Sequence, residues 1–62
     1  SVGNQIFTLQ SQITNLMDDY KIAVRDQDFD TAQAIANQIN NIDVAITQLK
    51  SQMPMGLGQK KN

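Results

Sequence analysis

Two ungapped series of apolar residues, alternating in steps of three and four, run through this chain and leave room for little besides a pair of helices. In the first half Ile6, Leu9, Ile13, Leu16, Tyr20 and Ala23 follow one another, with Val2 one step earlier. In the second half Ala32, Ile35, Ile39, Ile42, Ile46, Leu49 and Met53 do the same. A repeat of about 3.5 residues places each series as a stripe along one helix face, suited to left-handed supercoiled packing. No strand pattern competes with it.

The stripes are interrupted once, at Asp26-Gln27-Asp28-Phe29-Asp30. Aspartate favours turns and caps because its short carboxylate hydrogen-bonds nearby backbone. Asp30-Thr31-Ala32-Gln33 reads as a capping box, with Asp30 accepting from the Gln33 amide and Gln33 reaching back to Asp30. Phe29 then stands before the cap as a staple residue, packing near Ala34 and closing the turn end. Pro54 stops the second helix, because proline disfavours helical geometry in the residue before it.

The expected fold is therefore all-α: an antiparallel, coiled-coil-like two-helix hairpin over residues 1–53. Helix one is expected over residues 4–26, the turn over 27–29 and helix two over 30–53. Each helix would be roughly 33 Å long at 1.5 Å per residue, and so short a connection makes them antiparallel neighbours. The seam is assigned to Ile6, Leu9, Ile13, Leu16, Tyr20, Ala32, Ile35, Ile39, Ile42, Ile46 and Leu49. The turn and cap are assigned to Phe29, Asp30 and Gln33. Residues 54–62, with Gly56, Gly58 and the pair Lys60-Lys61, read as a flexible tail; Met53, Met55 and Leu57 could form a short docking peptide.

A chain of 62 residues is near the lower limit for folding alone, and chains in this range usually need a staple. Neither cysteine nor histidine is present, which excludes disulfides and removes the usual nitrogen and sulfur ligands for zinc or copper. The support that remains is a bundle completed by oligomerisation or by docking onto a partner. Phe7, Met17, Ile22, Val24 and Val44 lie outside the two stripes and form the candidate partner surface. Asn and Gln supply fifteen residues and Glu none, so the polar faces are built of amides, which are cheaper to cover than unpaired charges.

The formal net charge of −1 gives no basic footprint for nucleic acid and no field for anionic lipid. No apolar run approaches the roughly 18 residues of a membrane span, and the opening residues lack the pattern of a signal peptide. The expected location is the cytoplasm, or a particle assembled there. Catalysis is not expected: the chain lacks His, Cys, Glu and Trp, its serines have no visible general base, and Asp18 and Asp19 point apart on a helix. The aspartates of the break open like a calcium loop. Thr31 stands where that loop needs Gly, however, and Asn37 where it needs Glu, so no metal or cofactor is expected.

From Leu16 to Ile42 the chain resembles the UVR motif, the helical hairpin of the UvrB and UvrC excision-repair proteins and some Clp-associated regulators. Leu16, Tyr20 and Val24 match its first helix; Arg25, Asp26 and the Asp28-Phe29-Asp30 turn follow in step. Ala32, Ile35, Ile39 and Ile42 match its second helix, while the family's Arg-Asp pair there is Ala36-Asn37 in this chain. The resemblance implies a hairpin that pairs with another hairpin, through dimerisation or partner docking.

Three functions fit these features. The first is a protein–protein interaction module, self-associating or docking onto a larger protein. The second is a small structural or accessory subunit of an assembly such as a virion. The third is a small UVR-like docking regulator of an enzyme. All three require the seam, so Ile39→Asp, which buries an unpaired charge at its centre, is expected to abolish the helical circular-dichroism signal of the isolated chain. A variant as helical and as stable as the parent would show the seam to be misassigned.

Overall fold

A computed structural model describes residues 1–53. Within them the chain forms helix α1, Val2–Arg25, and helix α2, Phe29–Ser51, packed side by side as an all-α hairpin. The expected tail, with Met55, Leu57, Lys60 and Lys61, lies outside the described residues.

Helix α1 begins two residues before the sequence expectation of Asn4. Ser1 is its cap: the Asn4 N–H donates to the Ser1 hydroxyl at 3.2 Å. That satisfies one of the first-turn amides that no intrahelical carbonyl can reach. Four exposed hydroxyls turn inward on their own helices, from Ser11 to the Phe7 carbonyl, Thr14 to Gln10, Thr47 to Asp43 and Ser51 to Gln48. Such back-bonding satisfies each hydroxyl within its own helix, without a tertiary partner.

The turn falls at residues 26–28, one residue earlier than expected, and the cap of α2 moves by two, from Asp30 to Asp28. Asp28 N–H donates to the Ala23 carbonyl at 2.8 Å, and Gln27 N–H to the Val24 carbonyl at 3.0 Å. This pair of bonds is the Schellman closure of a helix C-terminus, and it requires a left-handed residue just past the end. Gln27 takes that conformation, with φ of 61°. The closure leaves Asp28 as the first residue free to cap α2, and its carboxylate accepts the Thr31 N–H at 3.3 Å. Hydrogen bonds from the Thr31 hydroxyl and backbone hold the Asp28 carboxyl below its ordinary pKa.

The expected capping box at Asp30 is therefore corrected. Asp30 lies inside the first turn of α2, where its charge favours the positive end of the helix. Gln33 does not reach back; its side-chain amide donates to the Asn37 side-chain oxygen at 3.1 Å. Phe29 becomes the first helical residue instead of the staple before it, and stands 63% exposed.

Four residues are buried: Ala23 and Ala32 beside the turn, Ile6 and Ile46 toward the open end. Between them Leu9, Ile13, Leu16, Ile35, Ile39 and Ile42 are half-buried, as is Leu49 beyond Ile46. The small alanines let the helices approach where the turn holds them together. Farther out, branched and longer side chains fill the gap but are covered by one facing helix only.

A left-handed conformation costs a non-glycine residue about 1–2 kcal/mol, so the turn stores strain at Gln27. Gln27→Gly is expected to raise the thermal midpoint of the hairpin by about 4–8 °C, the shift that about 1 kcal/mol produces in a domain of this size. Thermal unfolding of the two proteins side by side checks it; an unchanged or lowered midpoint would show that the turn is not held as described.

Candidate interaction surface

The five residues proposed as a partner surface do not share a face. At 100° per residue, Met17 and Val24 project within about 20° of each other, whereas Ile22 projects about 140° from Met17. The surroundings agree: Met17 lines a hollow with Tyr20, Ala36 and Ile39, and Ile22 lines another with Ala23, Thr31 and Ile35 on the opposite side of the hairpin. Val44 is exposed on α2 and lines neither hollow; Phe7, the most exposed large apolar side chain among the described residues at 70%, stands about 80° from Met17.

Two residues given other roles by the sequence join Met17 and Val24 instead. Tyr20, assigned to the seam, is 39% exposed and covers the Met17 hollow only in part. Phe29 lies seven residues before Ala36 and hence on the same side of α2. Met17, Tyr20, Val24 and Phe29 thus form an apolar patch beside the turn. Aromatic residues and Met are the types enriched in protein interfaces.

The opposite side has a different chemistry. Leu16 and Ile42 form the floor of a shallow hollow at mid-length, with Gln12, Asn15, Gln38 and Asn41 as its rim. A second hollow, over Leu9 and Leu49 with Asn4, Gln5 and Thr8, adjoins it at the open end. The Ile22 hollow continues the line at the turn end. Together they make one groove along the hairpin, with apolar side chains beneath and amides above for most of its length. Spacing within each stripe cannot show which flanking positions meet across the seam, so the sequence reading missed the four rim residues. Their signal was the excess of amides beside the stripes.

Charge is unevenly placed. Residues 1–17 and 31–42 contain no charged side chain. Asp18, Asp19, Asp26, Asp28 and Asp30 gather toward the turn, offset only by Lys21 and Arg25. Arg25 pairs with Asp26 at 3.1 Å, but both side chains are more than half exposed and the pair adds little. Among the described residues no three acidic side chains converge as a cation site, and no helix is long and apolar enough to cross a membrane.

No family model, curated protein or solved structure matches this chain.

If Phe29 is a surface residue and not a staple, Phe29→Ala is expected to change hairpin stability by no more than about 0.5 kcal/mol. A buried phenylalanine would cost about 3–5 kcal/mol on the same truncation. Denaturant titration separates the two; a large loss would return Phe29 to the turn core.

Proposed function

We propose that this chain is a non-enzymatic protein–protein interaction module, which acts by covering the open flanks of its hairpin with another protein surface. The observation that carries the reading is the incomplete cover of the seam. Among the described residues only Ile6, Ala23, Ala32 and Ile46 are buried, and two of these are alanines that contribute little apolar area. Seven large apolar residues are exposed. Apolar area removed from water is the main favourable term in folding, and two helices sharing one seam remove too little to hold the hairpin firmly.

A partner surface on either flank would raise the buried area at modest cost, because the residues to be covered are mostly apolar or neutral amides. Amides lose less than charges on leaving water and recover it through hydrogen bonds across the interface. A structural subunit and an enzyme regulator would use the same surface, and no feature of the described residues favours either over the general reading.

Thermal unfolding of the isolated chain at low and high concentration tests this. A low, broad transition in dilute solution is expected, sharpened and raised either by concentration or by a docking partner. A dilute monomer that unfolds cooperatively at high temperature, independent of concentration, would show that the hairpin needs no cover.

A further inference from the structure

We infer that the occupant of the amide-walled groove is a second copy of this chain, packed antiparallel about a two-fold axis through the mid-length hollow so that four helices form one bundle. This rests on the interaction reading above and names its partner.

A two-fold interface must be its own complement, because every residue meets the same surface turned around. Charged rims repel themselves under that symmetry. Gln12, Asn15, Gln38 and Asn41 are exposed around the hollow through which the axis passes. Each amide carries both donors and an acceptor, so each can pair with its own copy.

The remaining hollows fit the same operation. Those at the open end and the turn end lie on either side of the middle one at nearly equal distances, roughly 12–13 Å along α1. Rotation about the middle therefore lays the turn end of one copy over the open end of the other. Ile22, 48% exposed on the groove side, would come over the partner's apolar hollow at Leu9 and Leu49.

Electrostatics selects this orientation over the parallel one. In a parallel pair Asp19, Asp26 and Asp28, which all line the turn-end hollow, would face their own copies. In the antiparallel pair they face the open end, where residues 1–17 of α1 carry no charged side chain and α2 carries one of each sign, Asp43 and Lys50. They also approach the start of α1, whose first turn has no acidic residue to offset its positive dipole end, while the negative end of α2 beside it carries Lys50 in its last turn.

The area suffices as well. A groove roughly 36 Å long on a helix pair roughly 18 Å wide offers about 650 Å² per copy, or about 1,300 Å² in all. Stable interfaces start at about 1,200 Å². The apolar patch at Met17, Tyr20, Val24 and Phe29 spans less than half that length, and remains outward in the dimer.

Sedimentation equilibrium of the full chain from micromolar to millimolar concentration, with helicity followed in parallel, tests the assignment against two lysine substitutions at exposed helical positions. The parent is expected to be a dimer. Asn15→Lys, which sets like charges together near the axis, should raise the dissociation constant roughly a hundredfold while the chain stays folded at high concentration. Mixing Asn15→Lys with Asn15→Glu should restore the dimer as a heterodimer. Met17→Lys, on the opposite side, should leave the constant unchanged.

If Asn15→Lys associates like the parent, or Met17→Lys is the variant that dissociates, this face is wrong, although the interaction reading survives. A parent that stays monomeric throughout overturns the dimer. Such a monomer, if only weakly helical, leaves the interaction reading standing with a different partner; if stably helical, it overturns both.

Discussion

Everything in this structure depends on one contact, the meeting of two apolar stripes along a single seam. Each stripe is continuous because neither helix contains an internal proline, and no glycine or polar residue occupies a seam position. The contact is closed beside the turn at Ala23 and Ala32 and again near the open end at Ile6 and Ile46. Between those points the leucines and isoleucines meet only one facing helix, so half of their surroundings stay open. A two-layer core made of single helices has no third element to close over it. The same contact that makes the hairpin leaves apolar surface along both of its sides.

The turn shows how a short connection can serve two helices at once. Asp28 ends the Schellman closure of α1 with its backbone N–H and caps α2 with its carboxylate. One residue thereby answers orphan groups of both helices, and only Gln27 need leave ordinary backbone geometry. The conformational cost at Gln27 is the consequence of so compact a link. Phe29 is displaced outward by the same economy of residues and adds to the apolar patch on the Met17 side.

The two sides of the hairpin differ in ways that matter for association. One is short and apolar, built around Met17, Tyr20, Val24 and Phe29; the other is long, with an apolar floor and neutral amides above it. Five of the six aspartates gather toward the turn and only Asp43 stands farther along α2, so a partner running the length of the groove meets most of the negative charge at one end. That asymmetry gives a direction to a surface that would otherwise be nearly uniform. A groove suited to self-pairing and a patch left free can coexist on one small chain, because they occupy opposite flanks of the seam.

The sequence by itself determined the helices, their number and the stripe on each. Periodicity is a property of single helices, and residues three and four apart share a face whatever lies opposite. It also determined that the break falls among the aspartates. Which aspartate caps α2 was settled only by the closure of α1, since Asp28 and Asp30 are equally able caps when read locally. The outward position of Phe29 followed from that choice. The grouping of flanking residues was likewise beyond the sequence: Met17 and Ile22 look alike as apolar residues off the stripe, yet the packing sends them to opposite sides. The amide groove exists only where Gln12 and Asn15 of one helix stand across from Gln38 and Asn41 of the other. Tertiary structure decided these because each depends on the rotation of one helix against its neighbour, which pattern along a single strand of sequence does not specify.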